Sequence, residues 1–262
     1  MTTVPRFFDH PGPLAFAHRG GAAEAPENTW AAFERAVGLG FRYMETDIRV
    51  TADGVAVAFH DVQVDRVAFA KGTVRSMSWA KLATLPLRAG SSTPRLEDLL
   101  AAWEDVCWNI DVKEQRAVEP VITAIRRTGT ATRALVAAFS GRRSRQLRAQ
   151  LGPELAIGAG RWAVAALVCA KFLPSLPVPK TIAAAQVPTS RHGARIVDRR
   201  FVSACHKRGL PVHVWTINDA TEMAYLLDLG VDGIMTDRPS VLKEVLSRRG
   251  QWRPEKDGGS ST

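Results

Sequence analysis

The sequence predicts an α/β fold, a TIM (β/α)8 barrel with a small insertion after its second strand. Three observations predict it. Short apolar runs of strand character alternate with segments of helical period along nearly the whole chain. The connections are short, and no linker rich in Pro, Gly or Ser divides them. Eight such units in 262 residues match the roughly 250 residues of a closed barrel. A doubly wound open sheet is the alternative. It wants a glycine-rich first turn, G-x-G-x-x-G, and His18-Arg19-Gly20-Gly21 is not one.

The first strand is Leu14-Ala15-Phe16-Ala17, which runs into His18-Arg19-Gly20-Gly21. Asn28 or Thr29 caps the following helix, which carries Trp30, Phe33, Ala36 and Val37 at helical spacing. Residues 41–48 form the second strand, and Glu45 and Asp47, two apart, share one of its faces. Asp53-Gly54 is a hairpin turn that returns the chain through 55–59 to His60-Asp61. Residues 62–92 lack a clean period and make up the insertion. Thr93-Pro94 starts a helix, threonine as cap and proline in the first position, with Leu96, Leu99, Leu100 and Trp103 as its stripe. Residues 108–113 are the third strand, with Asp111 and Lys113 on one face.

The alternation then repeats. Helices at 118–127, 144–151, 162–172, 198–207 and 220–229 precede strands at 134–138, 155–157, 183–187, 212–216 and 233–236, and a helix at 239–247 closes the barrel. Residues 1–250 read as one domain, and the polar, glycine-bearing 251–262 as a flexible tail.

Hydrophobic content of 46% and charged content of 23% are those of an ordinary globular chain. The net charge of +9 points to an anionic partner: phosphate, an acidic membrane or nucleic acid. Seven arginines lie between Arg126 and Arg148, among apolar residues with few aromatics. They read as a solvated helix face, so no nucleic acid is expected, and peripheral contact with an anionic membrane is. Cys107, Cys169 and Cys205 form neither a zinc pattern nor a disulfide framework, which fits a reducing compartment. The N-terminus lacks a signal-peptide pattern, and the longest apolar stretch, 162–170, is too short to span a bilayer. The expectation is a soluble cytoplasmic protein; its oligomeric state is not legible.

Barrel active sites lie at the C-terminal ends of the strands. This reading places His18 and Arg19 there on the first strand, Glu45 and Asp47 on the second, His60 on its hairpin extension, Asp111 and Lys113 on the third, and Trp215 on the seventh. Glu45, Asp47 and Asp111 are hard oxygen ligands suited to Ca2+ or Mg2+. His18 and His60 suit general acid and base work near neutral pH. Arg19 and Lys113 suit phosphate oxygens, and Trp215 suits a wall for a small polyol. Together they indicate metal-assisted cleavage of a small phosphodiester. His213, within the seventh strand, is as much a core residue as a site residue.

The ordered set His18-Arg19-Gly20, Pro26-Glu27-Asn28-Thr29, Glu45-Thr46-Asp47, Asp53-Gly54 and His60-Asp61 resembles the glycerophosphodiester phosphodiesterases. Ile110-Asp111-Val112-Lys113, Trp215-Thr216-Ile217-Asn218 and the run from Val231 to Pro239 extend the resemblance over about 14–247. It implies the same barrel and insertion, a divalent metal on Glu45, Asp47 and Asp111, and His18 and His60 as the acid/base pair. It also implies Arg19 and Lys113 near the phosphate and Trp215 on the alcohol side. The implied reaction is attack by the neighbouring glycerol hydroxyl, then opening of the cyclic phosphate by water, giving sn-glycerol 3-phosphate and an alcohol. The family usually carries glutamate where this chain has Asp111. One methylene fewer implies a third ligand that reaches through water or from a shifted strand. Two further readings keep the barrel: lysophospholipase D-type cleavage of lysophospholipids, and a non-catalytic barrel that binds phosphorylated ligands or nucleic acid.

Overall fold

The computed structural model describes residues 6–253, apart from 89, 139, 174, 180 and 192. Residues 254–262 of the predicted tail lie outside the described residues; within the tail, Trp252 packs its ring at a tilt 5.1 Å from that of Phe41.

In chain order the elements are β1 (Leu14–His18), α1 (Trp30–Gly38), β2 (Tyr43–Val50), β3 (Ala56–Ala58), α2 (Trp79–Ala83), α3 (Leu96–Ala102) and β4 (Cys107–Val112). There follow α4 (Val118–Thr128), β5 (Ala134–Ala137), α5 (Gly141–Leu151), β6 (Ala156–Ile157), α6 (Arg161–Cys169) and β7 (Ala185–Val187). The last are β8 (Ser190–Arg191), β9 (Ala194–Arg195), α7 (Arg199–His206), β10 (Val212–Val214), α8 (Ala220–Asp228), β11 (Gly233–Thr236) and α9 (Pro239–Arg248).

Eight parallel strands run in the order β6, β5, β4, β2, β1, β11, β10, β7. The two ends meet through the parallel bridge between Gly158 and Ala184, where Ala183 N–H donates to Ile157 O at 2.7 Å and Ala159 N–H to Ala184 O at 2.9 Å. The ring is thus the predicted (β/α)8 barrel. β3 pairs antiparallel on β2, Ile48 opposite Ala58, so the hairpin returns His60 toward the rim that β2 reaches.

Alternation along each strand sorts the core into two layers. Ala15 and Ala17 face outward into the large layer between strands and helices. Phe16 faces inward, where Phe7, Leu14, Tyr43, Leu135 and Met235 fill the lumen. Phe7 comes from the one-turn helix Arg6–Phe8 and plugs the floor, its ring 5.4 Å from Tyr43. His213 is fully buried in this lumen, its ring 5.0 Å from Phe16 and its Nδ1 3.3 Å from the Gln186 amide. It is a core residue beneath the site. Gly233 makes room for it: a Cβ there would lie 2.9 Å from both His213 and Phe16.

Thr29, not Asn28, caps α1, its side chain accepting from Ala32 N. Asp198 and Asp219 cap α7 and α8 in the same way. The helix expected from Thr93-Pro94 starts later, at Leu96. Ala58 N–H donates to Pro94 O at 3.0 Å and Val57 bridges Arg95, so 93–95 is held extended against β3 instead. Arg133, read from sequence as part of a solvated face, is buried. Its guanidinium donates to Leu100 O at 2.5 Å and Val106 O at 2.7 Å, satisfying carbonyls at the end of α3 and the approach to β4. The β8–β9 hairpin gave no sequence signal: each strand is two exposed residues long, with no apolar alternation.

Residues 62–92 hold a small apolar cluster of their own. Val64, Ala68, Val74, Met77, Leu82 and Leu87 pack with Val57 and Phe59 of the hairpin arm, which anchors the backbone that carries His60. No described helix is long and apolar enough to cross a membrane.

Burial holds the His213 imidazole down at about 4, so the folded chain keeps it neutral. The unfolded chain takes up a proton as pH falls through ~6.5 while the folded chain does not. Stability is therefore full above that pH and falls by about 3 kcal/mol on the way to pH ~4, as urea unfolding across that range will show, with the slope reduced in His213→Gln. Gly233→Ala is expected to cost about 1–3 kcal/mol in the same assay, because two buried rings must move.

Candidate active site

β2 brings Glu45 and Asp47 to the rim on one face, and its register with β4 sets Asp47 directly beside Asp111. Asp47 is 1% exposed and Glu45 5%. Carboxylates this buried need compensation. Asp47 receives it from Lys113 Nζ at 2.6 Å, Arg19 Nε at 2.9 Å and the Asn28 amide at 3.1 Å. Lys113 Nζ also lies 2.6 Å from Asp111 Oδ2. Glu45 Oε2 accepts the Arg19 backbone N–H at 3.0 Å and lies 3.7 Å from His18 Nε2.

The balance differs from one carboxylate to the next. Burial pushes Asp47 up, but Lys113 and Arg19 outweigh it and hold the group below the usual carboxylate range. Burial, with Asp47 adding its repulsion, pushes Glu45 up to about 7. Asp111 is also raised, chiefly by burial, against the pull of Lys113. Burial opposes the charge on Lys113, and Asp47 and Asp111 more than restore it.

Each site histidine is held by an aspartate. His18 Nδ1 lies 2.6 Å from Asp237 Oδ1, whose other oxygen accepts from the Asn218 amide at 3.0 Å. Burial pushes the His18 imidazole down, while Glu45 and Asp237 prevail and leave it raised. His60 Nδ1 lies 2.6 Å from Asp61 Oδ1, and Arg66 Nε donates to Asp61 Oδ2 at 2.6 Å. Arg66 in turn grips Glu27, which also pairs with Arg19 at 3.3 Å. A continuous polar chain thus ties His60 to Arg19. With a carboxylate on Nδ1, each ring keeps Nε2 for the cavity.

His18, Arg19, Glu45, Asp47, His60, Asp111, Lys113 and Trp215 all line one cavity of about 260 Å³. Every residue singled out from the sequence is brought there. Trp215, Ala137, Ala138, Ala159 and Met235 form its less polar side. Sequence reasoning gave no site role to Asn28, Glu27 and Arg66 and left Asp61 open. The signal for Asp61 was its adjacency to His60. For Asn28 it was the neighbouring Thr29, which already serves as the cap.

The donor set fits a hard divalent cation. Glu45, Asp47 and Asp111 offer only oxygens, two of them are pushed toward protonation, and Asp111 Oδ1 is buried with no hydrogen-bond partner. No three His, Cys, Asp or Glu side chains among the described residues already form a metal cage. Lys113 stands between two of the three carboxylates.

Comparison with known proteins gives the family. The profile of the glycerophosphoryl diester phosphodiesterase family matches residues 18–241. A Mycobacterium tuberculosis protein named "Probable glycerophosphodiester phosphodiesterase 2" is 39% identical over 251 residues, covering 94% of this chain and 95% of that one. The crystal structure of a glycerophosphodiester phosphodiesterase from Agrobacterium tumefaciens matches with a TM-score of 0.73 at 25% identity, over 90% of this chain and 99% of the other. An Oleispira antarctica phosphodiesterase, solved with the product sn-glycerol-3-phosphate, shares the fold with a TM-score of 0.71 at 24% identity, over 90% and 97%. By the profile match and the mycobacterial relative, the chain belongs to the glycerophosphoryl diester phosphodiesterase family.

Proposed function

We propose that the rim cavity hydrolyses glycerophosphodiesters to sn-glycerol 3-phosphate and an alcohol, with His18 and His60 as the acid/base pair. The observation that carries this is the pair of aspartate-held imidazoles, from β1 and from the hairpin arm, lining the same cavity. Phosphodiester cleavage needs one proton removed from the attacking oxygen and one delivered to the leaving oxygen. Two imidazoles with Nδ1 fixed and Nε2 free meet that need. One takes the proton of the attacking glycerol hydroxyl as the P–O bond forms, and the other protonates the departing alcohol. The two then exchange roles when water opens the cyclic phosphate.

Arg19 and Lys113 already balance Asp47, and their remaining N–H groups are positioned to grip phosphate oxygens. Trp215 and Met235 supply the side against which the organic part of the substrate lies. Glu45, Asp47 and Asp111 would hold a divalent cation, Ca2+ or Mg2+. When bound, it supplies positive charge for the phosphoryl oxygens. The compartment in this reading is the cytoplasm, supported by cysteines that form no disulfide among the described residues, Cys169 exposed and Cys205 buried.

His18→Ala and His60→Ala are each expected to slow release of glycerol 3-phosphate by roughly 10²–10⁴-fold with little change in unfolding midpoint. Native rates in both variants would overturn the assignment. Asp237→Asn and Asp61→Asn should lower kcat more than they raise KM, because they disturb ring orientation and tautomer. Chelation is expected to abolish turnover and Ca2+ or Mg2+ to restore it. The same ion should raise the melting temperature of the native chain and leave that of Glu45→Gln nearly unmoved, since a ligand stabilises only the state that binds it.

A further inference from the structure

One side of the barrel has a composition that the catalytic cavity does not explain. Residues 141–197 carry nine Lys and Arg against a single acid, Glu154. The segment comprises α5, α6, β7 and the β8–β9 hairpin. Lys171 pairs with Asp198 at 2.6 Å, but Arg142, Arg145 and Arg161 are exposed and make no ion pair among the described residues.

Helix α6 is the second anomaly. Its inner face buries Ala163 and Leu167, with Ala170 following. Its outer face is apolar too. Trp162, Ala165 and Cys169 stand exposed at i, i+3 and i+7, and Phe172 and Leu173 continue the row. Trp162 is 88% exposed, Phe172 67% and Leu173 58%. A helix apolar all round is ordinarily covered. Beside it an apolar cleft of about 620 Å³, floored by Ile157 and Gly158, opens between α5 and α6, with Arg145, Arg148 and Arg161 among its lining residues.

We propose that this face docks on an anionic lipid bilayer. Trp and Phe between water and an apolar phase, flanked by unpaired arginines, match the chemistry of a headgroup boundary. A second copy of the chain fits less well, because a two-fold contact would oppose the same cationic surface to itself. Nucleic acid fits less well, because the exposed row also presents Ala165, Cys169 and Leu173, which offer no stacking surface. The face adjoins the catalytic cavity: Ala159 lines the cavity, and Gly160, Arg161 and Trp162, which line the cleft, follow it in the chain. The inference goes beyond the hydrolase assignment and does not depend on it.

Co-sedimentation of the full chain with vesicles tests it. The chain should bind vesicles of phosphatidylcholine mixed with phosphatidylglycerol, ignore phosphatidylcholine alone, and release as salt rises. Arg142→Glu/Arg145→Glu/Arg161→Glu should weaken binding on the order of a hundredfold, and Trp162→Ala about tenfold. Thermal unfolding, not turnover, checks that each variant is folded, so the outcome stands apart from that of the hydrolase assay. No binding to anionic vesicles, equal binding to neutral ones, or variants that bind like the native chain would overturn the proposal. So would retention on duplex DNA in place of vesicles, or a dimer in solution that Trp162→Ala dissolves.

Discussion

Asp47 carries a negative charge at the floor of the cavity with almost no access to water, and the surrounding loops are shaped by the need to answer that charge. Arg19 and Lys113 reach it from β1 and β4. To bring Arg19 there, the chain after β1 adopts left-handed backbone at Arg19 (φ 53°), Gly20 (φ 83°) and Gly21 (φ 102°). The two glycines are also sterically required. A Cβ on Gly20 would lie 2.7 Å from the Ala32 Cβ, and one on Gly21 2.6 Å from the Pro239 ring. Asn28 takes the same strained conformation (φ 54°), and its side chain links Asp47 to Thr46. Strain of this kind persists only where other contacts over-determine it. Here those contacts all lead to one buried carboxylate.

The same cluster is not electrically closed. Three acids, Glu45, Asp47 and Asp111, face two cations, Arg19 and Lys113. Arg19 pairs with Asp47, and Lys113 is shared between Asp47 and Asp111, while burial first and then repulsion from Asp47 push Glu45 up to about 7. A phosphodiester is itself an anion. It meets a rim short of positive charge unless a divalent ion or protonated imidazole joins the set. The deficit thus links two features that look separate in the sequence, a same-face carboxylate pair and a pair of aspartate-held histidines. Both bear on the same shortfall, which a protonated imidazole or a bound cation would make good.

What was legible in the sequence follows a physical line. Strands whose residues are buried on both faces have to be near-continuous apolar runs, so 14–17 and 134–138 stood out. Site residues at strand ends were legible because barrel geometry sends every strand C-terminus to one rim. Contacts that depend on loop conformation were not. Nothing in Pro26-Glu27-Asn28-Thr29 says that Thr29 caps the helix while Asn28 is freed for Asp47, or that Glu27 gathers Arg19 and Arg66. The start of α3 was misplaced for a related reason. Thr93-Pro94 has good helix-start chemistry, but pairing with β3 holds it extended. Arg133 shows the limit of composition: an arginine among six others reads as surface until the carbonyls it satisfies are seen.

The barrel is also unequal around its circumference. β1, β2, β4 and the loop after β11 carry the carboxylates, the His18 imidazole and their partners, cross-linked by the pairs Arg19–Asp47, Lys113–Asp47 and His18–Asp237. The opposite side, β5 to β7, contributes small apolar residues to the cavity, Ala137, Ala138 and Ala159. Among the described residues it closes through the bridge at Gly158 and Ala184, and it leaves a cleft between α5 and α6. The charge network makes the first side intolerant of change, since removing one partner strands another buried charge. The second side holds few polar commitments, so its side chains can be enlarged or reduced without unpairing a carboxylate. The apolar wall, the uncovered helix and the arginines lie together on this second side, apart from the charge network of the first.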